Sequence, residues 1–248
     1  MKEQIIFYGN QKSGTTAIAK LFAERVGLTY SNDPLYNVDK GRSIILRFLL
    51  RFLGALPLFV RLSKVTFKGD VVKDPDFSFM LSSVRAAYRP TKEVFVCRDP
   101  RDNIRSILNR LGIDGRVTSE AVALGDLKGG NRHWLEVMNG FKDFYGGTNV
   151  IERLAYRCKA NFDTYMSNSD TMYLARYEGF LSGKVEFIDD LADRLSIDMK
   201  ESIDGIVDKQ YQPKGDNSLS YIQFFGEKNL NAINSICAEE MGFLGYSL

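Results

Sequence analysis

The chain has 248 residues, of which 44% are hydrophobic and 26% are charged, and this is the composition of an ordinary globular protein with enough apolar material for a core. Its 33 Lys and Arg against 31 Asp and Glu give a formal net charge of +2, which is too small to argue for a nucleic-acid partner, so none is expected. The cysteines Cys97, Cys158 and Cys237 have no metal-type spacing and their odd number argues against a disulfide framework, so a reduced, cytoplasmic setting is expected.

Apolar runs of strand length alternate with segments of helical periodicity along the chain. The strand-length runs are Ile5–Tyr8, Leu28–Tyr30, Val71-Val72, Val94–Cys97 and Met172–Ala175. The helical segments lie near Thr15–Val26, Ser78–Tyr88, Pro100–Leu111, His133–Tyr145, Ile151–Met166, Val185–Leu195 and Lys228–Met241. This alternation predicts an α/β fold in three layers, with a central parallel sheet of about five strands flanked by helices, within one domain over residues 1–248.

A glycine-bounded loop follows the first predicted strand and leads into a helix. The loop and the helix start contain Gln11, Lys12, Ser13, Gly14, Thr15 and Thr16. Backbone N–H groups and the positive end of the helix would point into one small volume, which predicts an oxyanion site in a fold like that of the P-loop NTPases. The signature G-x-x-x-x-G-K-[ST] is nearly matched, but Thr15 holds the position of its lysine, and the lysine lies earlier, at Lys12. Thr15 or Thr16 could alternatively serve only as a helix cap.

Residues 43–62 form a basic and very apolar stretch between the second and third strands. The stretch is too short to span a membrane and is interrupted by Arg47, Arg51, Gly54 and Pro57. One interpretation is a pair of buried helices. The other is a lid or acceptor-site insertion with a basic amphipathic surface, which predicts peripheral contact with the inner face of a membrane.

The fourth predicted strand ends at Arg98. In a metal-dependent triphosphate enzyme the corresponding strand usually ends in an acid that helps to hold Mg²⁺. An arginine instead neutralises a phosphate directly through two parallel hydrogen bonds, so no metal is expected. Ser106 follows eight residues later on the same side of the next helix start and could add a hydroxyl to the same phosphate. Asp99-Pro100 is typical of a helix start, so Asp99 is expected to be a cap.

The loop Lys12–Thr16, together with Arg98 and Ser106, resembles the sulfotransferase family. Two further strings are similar to that family, Arg153–Asn161 and Ala175–Phe180, and Leu244-Gly245-Tyr246 resembles its usual ending. The resemblance implies an enzyme that uses 3′-phosphoadenosine 5′-phosphosulfate as the sulfuryl donor and transfers the sulfuryl group in line to an acceptor hydroxyl.

The same resemblance implies a role for each donor-site residue. Gln11 to Thr16 would bind the 5′-phosphosulfate, and Lys12 would also stabilise charge on the bridging oxygen as it leaves. Arg98 and Ser106 would hold the 3′-phosphate, and Tyr177 would lie near the adenine. Lys214, in Pro213-Lys214-Gly215, would belong to a basic loop that closes on the 3′-phosphate.

The base for the acceptor hydroxyl is expected to be a carboxylate. Many cytosolic members of the family use a histidine, but the single histidine, His133, lies outside the matching region, beside Trp134, and is expected to be packed or at the surface. Members that use a carboxylate have an acid just after the second strand, where this chain has Asp33-Pro34. Asp33 is therefore the first candidate, and Asp74, in a Lys-Asp-Pro string after the third strand, is the alternative. Either aspartate could instead be only a turn or cap residue.

The acceptor is expected to be a small molecule, a carbohydrate or a lipid-linked hydroxyl compound, since segments such as 43–62 commonly shape the acceptor pocket in this family. Two other functions stay open. A P-loop kinase or nucleotide hydrolase would need a lysine after Gly14 and an acid in place of Arg98, and both are absent. A non-catalytic binding module on the same fold is the other possibility, which the retained Lys12, Arg98 and Ser106 argue against.

Overall fold

The computed structural model describes residues 4–39, 56–62, 68–128, 132–139, 146–209 and 218–248. The chain divides into two compact units: Met1–Arg98 with Asn168–Tyr211, and Asp99–Ser167 with Gln212–Leu248. The single domain expected over residues 1–248 stays a prediction.

Five strands and eleven α-helices are found among the described residues. The strands are β1 (Ile5–Gly9), β2 (Tyr30–Asn32), β3 (Val71–Lys73), β4 (Lys92–Cys97) and β5 (Tyr173–Arg176). The helices are α1 (Thr15–Arg25), α2 (Pro34–Asp39), α3 (Leu56–Leu62), α4 (Leu81–Tyr88), α5 (Pro100–Leu111), α6 (Arg132–Asn139), α7 (Val150–Met166), α8 (Tyr177–Ser182), α9 (Lys184–Leu195), α10 (Tyr221–Ile236) and α11 (Ala238–Phe243). Short 3-10 helices cover Pro75–Phe79 and Leu124–Asp126.

The first unit contains the whole sheet, whose strand order is β2-β3-β1-β4-β5. Every neighbouring pair is parallel, and the register pairs Gly9 with Val96, Asn32 with Lys73 and Cys97 with Arg176. All five strands therefore end at the same edge of the sheet.

Strand β1 is buried on both faces, as expected for a central parallel strand. On one face, Ile5 and Phe7 belong to a core that includes residues of α1 and α9, and the Phe7 and Phe22 rings lie 5.5 Å apart. On the other face, the Tyr8 hydroxyl donates to Glu93 at 2.6 Å, and Glu93 also accepts from Arg85 of α4 at 2.8 Å. Helices thus cover both faces, which confirms the predicted three-layer α/β fold.

The second unit is built on helices. The Asp99 side chain accepts from the Arg101 amide at 2.8 Å and Pro100 follows at the first helical position, so the predicted cap of α5 is confirmed. α7 begins after Asn149, whose side chain accepts from the Glu152 amide at 3.0 Å.

The last predicted helix is wrong in its limits. The chain is helical from Tyr221, with a break at Gly226, where φ is 72°, and a second helix follows from Ala238. A capping box between Ser220 and Gln223 starts α10 earlier than apolar periodicity indicated.

Of the segment 43–62, residues 43–55 lie outside the described residues, and α3 forms its end. Within the described parts of the chain, no helix combines the length and the apolar character needed to cross a membrane.

Candidate functional site

The carboxyl edge of the sheet collects most of the predicted site residues. The loop 10–14 follows β1, Asp33 follows β2, Asp74 follows β3, Arg98 follows β4 and Tyr177 follows β5. This edge is where open parallel sheets bind their ligands, and it lies within the first unit. Four non-glycine residues have a positive φ among the described residues, and two of them, Lys12 (66°) and Asp33 (47°), lie at this edge. Such strained backbone is often kept at functional sites.

The loop after β1 folds back on itself through Asn10. The Asn10 carbonyl accepts from the Ser13 amide at 3.2 Å and from the Ser13 hydroxyl at 2.7 Å, so the Ser13 hydroxyl proton is used inside the loop. Gly9 has a φ of 142° and donates its amide to the Ser78 hydroxyl at 3.0 Å, and a Cβ there would lie 2.5 Å from the Val96 carbonyl oxygen. Only glycine therefore lets β1 pass so close to β4 at the start of the loop.

The start of α1 has no side-chain cap. Gly14 occupies the cap position with φ of 92°, and no side chain there accepts a hydrogen bond from the helix. The alternative that Thr15 or Thr16 caps the helix is therefore wrong, because both already lie inside it. The first backbone hydrogen bond of α1 runs from Ile18 to Gly14, so the Thr15, Thr16 and Ala17 amides precede it and point out of the helix end. With the helix dipole, these amides make an anion-binding position.

The Arg98 side chain is hydrogen-bonded to this loop. Its Nη1 donates to the Lys12 carbonyl at 3.1 Å, and its guanidinium carbon lies 4.8 Å from the centre of the Tyr177 ring. The Arg98 Nε is buried and has no hydrogen-bond partner among the residues that the structure describes. A buried donor without an acceptor costs free energy, and an anion beside Arg98 would remove that cost.

Asp33 forms an ion pair with Lys73. One Asp33 oxygen accepts from the Lys73 ammonium at 2.8 Å and the other from the Asn32 amide group at 2.9 Å. The Lys73 side chain is only 4% exposed, whereas that of Asp33 is 27% exposed. The carboxylate is thus held from the protein side and can be reached from solvent.

Asp74 is buried and serves local structure. Its two oxygens accept from the Asp76 amide at 3.0 Å and the Leu35 amide at 2.9 Å, so it caps the 3-10 helix and fixes the start of α2. Burial, followed by the charges of Asp76 and Asp33, raises the pKa of the Asp74 carboxyl well above its ordinary value. The alternative that Asp74 is a cap residue is confirmed.

Two residues on either side of Asp74-Pro75, to which the sequence analysis gave no role of their own, complete this edge. Lys73 ends a buried strand, and a lysine at such a position is itself a signal, because it must find an acceptor when buried. Asp76 accepts from the Gln11 side chain at 3.2 Å, which connects the loop after β1 to the residues after β3. Neither contact is visible from sequence spacing.

Three further residues named from the sequence are Ser106, Lys214 and His133. Ser106 is half-buried on α5, in the second unit, so its action with Arg98 on one phosphate stays a prediction. Lys214 lies outside the described residues. His133 is half-buried on α6, with its ring 6.0 Å from that of Trp134, as expected for a packed residue.

The arrangement can bind and neutralise an anion. Its cationic groups are Lys12 and Arg98, and backbone amides at the start of α1 add oriented dipoles. Within the part of the chain that is described, no three His, Cys, Asp or Glu residues are grouped so as to hold a metal ion.

Solved structures of sulfotransferases are similar to the whole chain. A sulfotransferase from Alicyclobacillus acidocaldarius has a TM-score of 0.55 at 12% identity, with 100% of this chain and 98% of that chain covered. Sulfotransferase STF9 from Mycobacterium avium has a TM-score of 0.57 at 12% identity, covering 100% and 78%. Mouse sulfotransferase SULT7A1, solved with PAP, has a TM-score of 0.52 at 12% identity, covering 97% and 84%.

No protein-family model matches the chain, and neither does any curated protein. The likeness to solved structures therefore shows the fold: this protein has a sulfotransferase-like fold.

Proposed function

We propose that this protein is a sulfotransferase that moves a sulfuryl group from 3′-phosphoadenosine 5′-phosphosulfate to an acceptor hydroxyl. The observation that carries the proposal is the uncapped start of α1 beside Lys12 and Arg98, where oriented amides, an ammonium and a guanidinium with an unpaired Nε lie along one loop. The sulfotransferase-like fold agrees with it.

The donor has two anionic ends, and the site offers a separate group of donors for each. The amides at the start of α1 and the ammonium of the neighbouring Lys12 suit the 5′-phosphosulfate, because oriented dipoles and positive charge both stabilise an anion. Arg98 suits the 3′-phosphate, since its Nε and remaining N–H groups can form a charge-assisted pair with phosphate oxygens. Ser106, Lys214 and Tyr177 keep the roles that the family resemblance implies.

The reaction is an in-line transfer. The acceptor oxygen forms a bond to sulfur while the bond between sulfur and the bridging phosphate oxygen breaks, and the acceptor proton passes to a carboxylate. Lys12 stabilises the negative charge that develops on the bridging oxygen. Such a transfer asks the protein chiefly for positioning and charge neutralisation.

Asp33 fits the role of base better than Asp74. The Asp33 side chain is 27% exposed, whereas Asp74 is buried with both oxygens accepting from backbone amides. A base must be open to the acceptor, and the Asp33 carboxylate is partly exposed at the carboxyl edge of the sheet. Lys73 keeps Asp33 in place through their ion pair.

The acceptor is proposed to be a hydroxyl compound, of the carbohydrate or lipid-linked class. The Asn32 amide group donates to Asp33, and Asp76 accepts from Gln11 of the loop 10–14. Polar groups of this kind at the carboxyl edge suit an acceptor with several hydroxyls. Residues 43–62 would supply its apolar contacts, with peripheral binding to a membrane as a further consequence. Liposomes with and without anionic lipid test the membrane part, and absence of binding to both removes it.

Calorimetry with adenosine 3′,5′-bisphosphate, and separately with ATP and Mg²⁺, tests the donor assignment. We expect the bisphosphate to bind without metal and to bind more tightly than ATP. Transfer of ³⁵S from labelled donor to a panel of sugar and glycolipid acceptors then tests catalysis. Preference for ATP with Mg²⁺ would favour a kinase or hydrolase, and bisphosphate binding without transfer to any acceptor would favour a binding module.

A further inference from the structure

Tyr177 lies where the loop 10–14, called the donor loop below because it would bind the sulfuryl donor, meets Arg98. We propose that Tyr177 is a positioning residue, whose ring holds the Arg98 guanidinium against the loop and thereby gives the site its preference for a nucleotide with a 3′-phosphate. This inference rests on the proposed function and adds a role to the expected place of Tyr177 near the adenine.

The sheet register brings the two side chains together. Cys97 at the end of β4 pairs with Arg176 at the end of β5, so Arg98 and Tyr177 are the first residues after two adjacent parallel strands. The guanidinium carbon lies 4.8 Å from the ring centre, within the range of a cation–π contact. A guanidinium is planar and weakly hydrated, so it stacks on a ring at little desolvation cost.

The Tyr177 ring is itself held on its other sides. It lies directly against Gly14, where any Cβ would overlap the ring. Its centre is 6.1 Å from that of Phe180, a buried residue whose ring lies 5.8 Å from Phe187. The ring therefore has little freedom to move away from Arg98.

Arg98 is consequently fixed at two points before any ligand arrives. The ring contacts its guanidinium, and Nη1 donates to the Lys12 carbonyl at 3.1 Å. The Nε remains buried without a partner. A free arginine would lose much rotamer freedom on pairing with a phosphate, and prior fixation removes most of that cost.

Three contacts and the loop backbone form a closed ring: Lys12 to Arg98, Arg98 to Tyr177, Tyr177 to Gly14, and Gly14 along the chain to Lys12. The group that would meet the 3′-phosphate and the loop that would meet the phosphosulfate are therefore one rigid assembly. Loosening Tyr177 should weaken chiefly the contact with the 3′-phosphate, because Arg98 loses its support while the start of α1 keeps its amides.

The test compares the dissociation constants of adenosine 3′,5′-bisphosphate and adenosine 5′-monophosphate by calorimetry. Their ratio measures the gain from the 3′-phosphate and cancels effects on the adenine. In Tyr177→Leu we expect this ratio to fall about tenfold, the size expected of a partly buried cation–π contact. Tyr177→Phe keeps the ring and should keep the ratio, so it controls for the hydroxyl and for folding.

A double-mutant cycle with Arg98→Lys identifies the partner of the ring. Arg98→Lys should lower the ratio by itself, and adding Tyr177→Leu should lower it little further. An unchanged ratio in Tyr177→Leu, or an equal loss of affinity for both nucleotides, would overturn the positioning role while leaving the proposed function intact. A wild-type protein that binds neither nucleotide would overturn the proposed function, and this inference with it.

Discussion

The charged residues at the carboxyl edge of the sheet differ in how the protein satisfies them. Lys73 is buried and its charge is met by Asp33, and both Asp74 oxygens accept from backbone amides. Arg98 keeps a buried Nε without a partner. Because an unpaired buried donor is costly, Arg98 is the residue at this edge that gains most from an anionic ligand.

Replacing Lys12 should abolish turnover without abolishing donor binding. Lys12→Ala removes the ammonium that neutralises the leaving oxygen, and a loss of about 10²-fold or more in kcat is expected, since contacts of this kind act in the transition state. Steady-state kinetics with labelled donor measures it. Lys12→Gly is the control, because glycine adopts the φ of 66° without strain. Normal turnover in both variants would refute the role of Lys12, and a loss in Lys12→Ala alone would assign the effect to backbone strain.

Asp33→Asn should lower kcat by about 10²-fold or more and leave the affinity for adenosine 3′,5′-bisphosphate unchanged, because it removes the base and nothing of the donor site. Asparagine tolerates a left-handed φ such as the 47° of Asp33, so the backbone should be retained. Kinetics and calorimetry on the same preparation give both values. Full activity of this variant would move the role of base to Asp74.

At the scale of elements, each candidate residue owes its position to the end of a strand or the start of a helix. α1 is capped by a glycine, whereas α5 is capped by Asp99 and the first 3-10 helix by Asp74. The start of α8, directly after β5, also has no side-chain cap. The start of α1 therefore matters to the proposed site because it lies beside Lys12, and not because it alone is uncapped.

Asp74 should make stability depend on pH. Its folded-state pKa is raised by burial, so the folded chain keeps a proton that the unfolded chain loses. The contribution is fully present below the unfolded pKa of about 3.9 and is lost as pH rises through the folded value. Urea unfolding at pH values from about 4 to about 8 therefore tests this prediction. As pH rises, the free energy of unfolding of the wild type should fall relative to that of Asp74→Asn, whose side chain does not titrate. A difference that stays constant or grows with pH would contradict the assignment.

At the scale of the whole molecule, the chain divides into a first unit that contains the sheet and a largely helical second unit. The loop 10–14, Arg98 and Tyr177 belong to the first unit, and Ser106 belongs to the second. A ligand that binds the folded chain and not the unfolded chain stabilises the folded state.

Adenosine 3′,5′-bisphosphate should therefore raise the melting temperature of the full chain, since a ligand at 100 times its Kd adds about 2.7 kcal/mol to the stability of the folded state. Differential scanning fluorimetry measures the shift. Adenosine without phosphates is the control and should give no shift, and added Mg²⁺ should leave the bisphosphate shift unchanged. A shift that requires Mg²⁺ would contradict a site built on Arg98 in place of a metal-binding acid.

Local sequence was sufficient for the order and type of the main elements and for the residues at the strand ends. A short apolar run such as Ile5–Tyr8 bounded by a glycine loop indicates a buried strand, and Asp99-Pro100 starts a helix through contacts with its immediate neighbours. Reasoning from local sequence also predicted that the loop at Lys12 and the arginine at position 98 are site residues, because parallel strands bring their carboxyl ends to one edge.

Only the tertiary structure decided which of those residues touch. The pairing of Lys73 with Asp33, the burial of Asp74 and the stacking of Arg98 on Tyr177 join positions about 40 to 80 residues apart. Such contacts follow from strand order and register, which no local pattern encodes. Burial then distinguished two similar Asp-Pro pairs: the Asp33 side chain is 27% exposed, whereas Asp74 is buried and caps a 3-10 helix.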